Sequence, residues 1–257
     1  GMGLVYDPGP KLSWLLNKET IFKFKDPDKC IDQMSFQKEA LQETRKLLPH
    51  NKSLIGFVGG PWTLFAYAVQ GSHSGNLTET KVELSLFKDF CKIILPFLEM
   101  NIQLQLDGGA EVVMIMDTAV GELDPLNYEK YVLPSLKILA SKFSKKIGYY
   151  TKGTTQAHLD VIKNLPWGGI GLDHRWNLAE AIKKNPQYFV QGNFDQSLLF
   201  LPAKEFESAL LHYLETIKKL TPIERTGWIC GVGHGILQHT PEANVKAFVQ
   251  ITREVFR

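Results

Sequence analysis

Residues 112–118 read Val112-Val113-Met114-Ile115-Met116-Asp117-Thr118: five apolar residues, then a carboxylate and a hydroxyl. An unbroken apolar run of this length suits a buried strand, as in a parallel sheet, better than an alternating surface strand. Upstream, Phe87, Phe90, Ile94, Phe97, Leu98 and Ile102 fall near one face of a helix over 87–106, and Gly108-Gly109 supply its stop. The same grammar recurs on both sides. Strand-length runs lie at Leu54–Val58, Ile147–Tyr150, Gly169–Leu172, Tyr188–Gln191 and Trp228–Val232, several of them bounded by glycine. Further helices fit 202–220, with Phe206, Leu210, Leu214 and Ile217 at three- and four-residue spacing, and 241–256.

Strand alternating with helix implies parallel strands and right-handed crossovers. An open doubly wound sheet and a (β/α)8 barrel both satisfy this. No G-x-G-x-x-G follows the first strand and no P-loop pattern occurs, so the expectation is α/β of the TIM-barrel type. Only six strands are legible where a full barrel has eight. The first 53 residues form an irregular lead-in, with turn clusters at Asp7-Pro8-Gly9-Pro10 and Asp26-Pro27-Asp28 and a poorly periodic helix over 34–48. Residues 54–257 carry the β/α units, and the whole chain reads as one barrel domain.

The composition excludes several classes. The chain has 257 residues, 44% hydrophobic and 22% charged, with a formal charge of +2, which is neither a disordered chain nor a disulfide-rich miniprotein. Basic residues are scattered, which argues against nucleic acid as the main partner. No stretch approaches the roughly 20 apolar residues of a membrane helix, and the first residues lack the pattern of a signal peptide. Cys30, Cys91 and Cys230 are an odd, widely spaced set, consistent with a reducing, cytoplasmic setting. Only five arginines occur: Arg45, Arg175, Arg225, Arg253 and Arg257.

In parallel α/β folds chemistry gathers at the C-terminal ends of strands. Here those ends read Gly59-Gly60-Pro61-Trp62-Thr63, Asp117-Thr118, Thr151-Lys152-Gly153, Asp173-His174-Arg175, Gly192-Asn193-Phe194-Asp195 and Gly233-His234-Gly235. The convergence of polar and glycine-rich ends points to a small-molecule site. Each residue also has a plain structural reading. Asp117 and Asp173 serve equally well as caps of following helices; Lys152 as a solvated loop lysine; Tyr67 as a helix tyrosine packed in the core. His234, flanked by glycines, suits an imidazole presented to a ligand. His73, His158 and His239 have no ligand spacing with cysteine or another histidine, so no metal site is expected.

Taken together, these segments resemble the uroporphyrinogen decarboxylase family. The resemblance rests on Gly56 to Leu64 running on to Tyr67 and Gly71, Met114 to Thr118 with Gly121 and Leu123, Gly171-Leu172-Asp173 with Leu178 to Ala181, Gln191 to Asp195, and Gly233 to Ile236 followed by Thr240-Pro241-Glu242 and Asn244-Val245. They occur in family order from about residue 54 onward, and the turn near Gly9 resembles a further family loop. The resemblance implies a (β/α)8 barrel, a homodimer and a cofactor-free decarboxylase that converts the acetate groups of uroporphyrinogen to methyls, giving coproporphyrinogen. It implies that Tyr67 contacts the acetate region, that Thr118 takes the place of a substrate-binding serine, that Met116 lines the substrate, and that His234 contacts a substrate carboxylate. Tyr67 and His234 are then the catalytic candidates.

The chain also departs from the family. An arginine-rich R-Q-A-G-R-Y segment and an S-D-[IV] segment carrying the aspartate that stabilises the cation have no counterpart, so the chain corresponds to about the C-terminal three quarters of the enzyme. Two strands belong to that part, and a barrel without them is expected to leave two bare edges that favour association. His174-Arg175 stand where the family has W-T, and Arg175 offers a replacement carboxylate ligand or a local partner for its own loop. Two rivals follow: a porphyrin-binding relative without turnover, and a corrinoid-linked methyltransferase on the same fold. The latter needs an H-x-C zinc pair, for which Tyr150-Thr151-Lys152-Gly153 has no residues.

Overall fold

The computed structural model describes residues 1–6, 10–72 and 75–257. Most of the first turn cluster (residues 7–9, including the turn near Gly9) and His73 lie outside the described residues. The chain divides into two compact units, Gly1–Gly168 and Gly169–Arg257.

The first unit opens with a short antiparallel pair, β1 (Leu4–Tyr6) and β2 (Pro10–Leu12). Short turns lead to α1 (Ser35–Leu47), then β3 (Ile55–Gly59), α2 (Pro61–Gln70), α3 (Thr78–Val82) and α4 (Phe87–Asp107). Next come β4 (Val112–Asp117) and α5 (Pro125–Asn127), which runs through a π turn (Tyr128–Val132) into α6 (Leu133–Lys142). The unit closes with β5 (Ile147–Thr151) and α7 (Gln156–Ile162). Strands β3, β4 and β5 are parallel neighbours in chain order, with Gly59 opposite Met116 and Asp117 opposite Thr151. Every residue of β5 is buried, as a parallel strand covered on both faces must be.

Helix α2 follows β3 because Pro61 presets its first turn and Gly71, at φ +74°, ends it. It is buried nearly all round. Trp62 and Phe65 pack edge-on or tilted against Phe87 and Phe90 of α4 at 5.1 to 5.5 Å between rings. Such aromatic contacts add about 0.5–1.5 kcal/mol each beyond the area they bury. Helix α4 also supplies a substitute strand neighbour. The side chain of Gln105 accepts from the backbone N–H of Phe57 at 2.9 Å and donates to its carbonyl at 2.9 Å. The expectation of a bare edge therefore fails at the middle of β3, where a helix amide does what a paired strand would do. The Phe57 ring itself stays 70% exposed.

The second unit comprises β6 (Gly169–Leu172), α8 (Leu178–Lys184), β7 (Phe189–Phe194), α9 (Ala203–Lys218), β8 (Trp228–Val232) and α10 (Glu242–Val255). Its three strands are again parallel and in chain order. Phe194, Leu199, Phe206, Leu210 and Leu214 form its core, with Val245, Phe248 and Ile251 of α10 packed on them. Buried Asn244 donates to the carbonyls of Leu199 and Leu201, both at 2.9 Å, fixing α10 to the loop after β7. Gly192, at φ +134°, lies so close to the Leu172 carbonyl that any Cβ would come within 2.7 Å of it.

All six expected strands are present, and each is followed by helix. The class is α/β of the TIM-barrel-like kind with six of its strands described.

Candidate functional site

The polar end of β4 is organised by one carboxylate. Asp117 is fully buried, and its Oδ1 accepts from the Thr63 backbone N–H at 2.9 Å and the Thr63 hydroxyl at 2.7 Å. Its Oδ2 accepts from the Tyr149 hydroxyl at 3.0 Å. The Thr63 hydroxyl in turn accepts from Ala119 N–H at 3.0 Å, and the Trp62 indole N–H donates to Ala119 O at 3.1 Å. A strand-end carboxylate thus caps the first turn of α2, where free N–H groups and the helix dipole favour negative charge. Burial nonetheless dominates and pushes the Asp117 carboxyl up to about 6, with the Thr63 and Tyr149 hydrogen bonds pulling the other way. Gly60 is a glycine because a side chain there would run into the Asp117 carboxyl.

Tyr149 stacks on Trp167 with ring centroids 5.3 Å apart, and its hydroxyl lies 3.4 Å from that of Tyr128. Burial holds the Tyr149 phenol well above its ordinary range. Of the two readings of Asp117, the geometry realises the cap. Met116 and Thr118 flank it in half-buried positions, and the Met116 carbonyl accepts from Gly60 N–H at 2.8 Å. Tyr67 is half-buried on α2; burial, then the neighbouring Tyr6 phenol of β1, raises its hydroxyl above the usual range. Thus the first unit carries Met116 and Thr118 at the β4 end and Tyr67 within the helix that follows β3.

The second unit gathers three strand ends of its own. Asn193, at the end of β7, donates from Nδ2 to Asp173 O at 2.7 Å and Trp176 O at 2.9 Å, locking the loop after β6. Gly233, after β8, donates to Phe194 O at 2.7 Å, and its Cα faces the backbone of Asp173, His174 and Asn193. His234 follows in a half-buried position, with Gly235 open beyond it. Buried Asp173 is matched within its own loop: Oδ2 takes the Arg175 guanidinium at 2.5 Å and Oδ1 the Arg175 N–H at 3.0 Å. Arg175 therefore follows the local-partner reading. Beside it, His174 Nε2 stands 4.0 Å from Asp195 Oδ2, each side chain about 30% exposed.

Two other arginines donate to backbone carbonyls. Arg45 donates to the carbonyls of Lys52, Leu48 and Pro49, and Arg225 to Leu220 O while lying over Phe256. His158 is a buried structural residue that bridges Thr155 and Leu123 O. Cys30, Cys91 and Cys230 are free thiols, and burial pushes Cys91 up to about 12 and Cys230 to about 11. Among the described residues no three His, Cys, Asp or Glu side chains are grouped as metal ligands, and no helix is long and apolar enough to cross a membrane. A groove of about 660 Å³ in the first unit, between α4 and α6, is lined by Phe87, Cys91, Leu95, Tyr131 and Ile138 and contains none of the strand-end residues.

The sequence reading missed Tyr149, and it placed Thr63 and His174 at strand ends without their partners. Thr63 and Tyr149 bind Asp117 from a helix start and from within a strand, and His174 pairs with Asp195 across two strand ends. Parallel register carries the only signal for Tyr149: it sits two residues before Thr151, the partner of Asp117.

A family model described as uroporphyrinogen decarboxylase (URO-D) matches residues 1–255. The uroporphyrinogen decarboxylase of Trichodesmium erythraeum is 27% identical over 265 residues, covering 98% of this chain and 72% of that protein. That of a Synechococcus species is 30% identical over 283 residues (99% and 74%), and that of Myxococcus xanthus 32% over 232 residues (86% and 64%). Among solved structures, a methyltransferase from Methanosarcina mazei superposes with a TM-score of 0.78 at 17% identity, covering 100% of this chain and 76% of that one. At that identity the likeness concerns the fold.

Proposed function

We infer the activity from the premise that this chain belongs to the uroporphyrinogen decarboxylase family, whose model spans it almost end to end. The proposed reaction is removal of CO2 from the four acetate side chains of uroporphyrinogen III, giving coproporphyrinogen III in tetrapyrrole (haem) biosynthesis. That family match is the single observation that carries the reading.

The chemistry asks for three things: a grip on a polyanionic macrocycle, stabilisation of a cation formed by ring protonation, and delivery of protons. The protonated pyrrole is the electron sink, so no metal or organic cofactor is called for. In this reading the Tyr67 hydroxyl, kept protonated by its burial, donates to the acetate region. Thr118 adds a hydroxyl, Met116 an apolar wall, and His234 an imidazole for a substrate carboxylate. The proposal assigns catalytic roles to His234 and to Tyr67. A homodimer in the cytoplasm belongs to the same proposal.

A second reading is porphyrin binding without turnover. One observation favours it: both buried strand-end aspartates are engaged internally, Asp117 by Thr63 and Tyr149 and Asp173 by Arg175, so neither is offered to a substrate cation. Anaerobic incubation with uroporphyrinogen III, with products separated by carboxylate number, decides between the two. Stepwise hepta- to tetracarboxylate products, lost in His234→Ala, support the decarboxylase. Porphyrin binding with no products supports the second reading, and neither binding nor products overturns both.

A further inference from the structure

The second unit holds a histidine–carboxylate couple that the roles above do not use. His174 lies on the loop after β6 and Asp195 at the end of β7, with Nε2 and Oδ2 4.0 Å apart and both side chains about 30% exposed. The couple is built into rigid surroundings. Asn193 pins the His174 loop at both ends through Asp173 O and Trp176 O. Asp195 is held by accepting from Ser197 N–H through Oδ1 at 2.9 Å, and its Oδ2 faces Nε2 at ion-pair rather than hydrogen-bond distance. Gly233 packs on the His174 backbone, so the chain leading into His234 starts against the same loop. The His174 Nδ1 atom is buried and makes no hydrogen bond among the described residues. Proton exchange with a ligand or solvent therefore runs through Nε2, on the Asp195 side. On the same loop, Asp173 is already paired with Arg175.

We propose that His174 is a proton donor to the bound tetrapyrrole and that Asp195 is its positioning residue, a role that rests on the decarboxylase reading. The proton on Nε2 passes to the pyrrole carbon next to the one bearing the acetate, making the ring cationic. The bond between the acetate methylene and its carboxylate then breaks; its electron pair flows into the ring and CO2 leaves. A solvent proton adds to the exocyclic methylene to form the methyl group, and the ring carbon returns its proton to Nε2. One proton is consumed for each CO2 released. A fixed imidazole suits this task because the same ring nitrogen can give a proton and take it back.

The test is steady-state turnover of uroporphyrinogen III by the whole chain and its variants, under anaerobic conditions. His174→Ala is expected to lower kcat about 100-fold with KM within about twofold, as for loss of a general acid. Added imidazole should restore part of the rate, which a merely structural histidine would not allow. Asp195→Asn, which still accepts from Ser197, should lower kcat about tenfold at unchanged KM. His174→Gln supplies a size-matched variant if the alanine variant misfolds, with the same loss expected. Unchanged kcat in these variants, a loss carried by KM alone, or a folded His174→Ala that imidazole does not rescue overturns the role while wild-type turnover keeps the reading. Absence of turnover in the wild-type chain overturns the decarboxylase reading and this role with it.

Discussion

Gln105 and Phe57 are joined by a two-point amide contact: the helix side chain accepts from and donates to the backbone of one β3 residue, both at 2.9 Å. Asn101 accepts from the same Gln105 Nε2 at 2.9 Å, so the amide is oriented before it meets the strand. Gln105→Ala removes both contacts and opens the strand edge beside an exposed phenylalanine. The expected cost is about 2 kcal/mol, at roughly 1 kcal/mol per hydrogen bond. Urea titration checks the stability. Light scattering checks the second consequence, association that rises with concentration, because a bare edge invites strand pairing.

Asp117 predicts how stability varies with pH. Its carboxyl sits at about 6 in the fold against an ordinary value of 3.8, so the folded chain binds this proton more tightly than the unfolded one. The stabilisation from that proton is complete below about pH 4, shrinks between 4 and 6 and is gone above the folded value. The shift corresponds to about 3 kcal/mol. Asp117→Asn keeps an acceptor for Thr63 and abolishes the titration. Melting curves from pH 4 to 7 should therefore fall with pH in the wild type more steeply than in the variant; parallel curves would contradict the assignment.

Arg175→Ala separates a loop partner from a substrate ligand. Removing the guanidinium leaves the buried Asp173 carboxylate with only a backbone donor on the arginine side. A loss of about 1–2 kcal/mol follows, discounted because the guanidinium is half exposed. Under the proposed function, uroporphyrin affinity should stay within twofold, measured by fluorescence titration. A tenfold loss of affinity at unchanged stability would reverse the assignment.

Asn193→Ala cuts the two bonds that hold the loop after β6. Amide exchange at residues 174–176 should quicken, with a global cost of about 1–3 kcal/mol for the two carbonyls left unmatched. If the His174 role holds, turnover falls as well, without any change to His174 itself.

The six strands were legible because each is an apolar run bounded by glycine or polar residues, a pattern that burial on both faces sets most fully in β5 and β6. Helix α4 was legible because its apolar face repeats over five turns and stops at glycine; it ends at Asp107, one residue past the expected end. The β1–β2 pair was not legible, since its strands have three residues each and Leu4, Val5 and Tyr6 remain exposed. The pattern of residues 125–142 is hidden by a π turn, which shifts the helical face partway along. At the site, positions at strand ends could be read, but their use could not. Whether Asp117 faces a ligand or a helix start depends on Gly60 and Thr63, more than fifty residues away in the chain. Arg175 was readable in either sense until Asp173 was seen buried beneath it.

Three of the five arginines are already spent on loops, Arg45 and Arg225 on carbonyls and Arg175 on Asp173. Under the proposed function, a ligand bearing many carboxylates would then meet mainly ammonium and imidazole groups, which act as point charges without the guanidinium's two-pronged geometry. Recognition of that kind counts charges more than it measures angles. Affinity should fall steeply as salt is raised, because exposed charges are screened within about 8–10 Å. Each carboxylate removed should also loosen the grip on the remainder, so that the most decarboxylated tetrapyrrole is the one most readily let go.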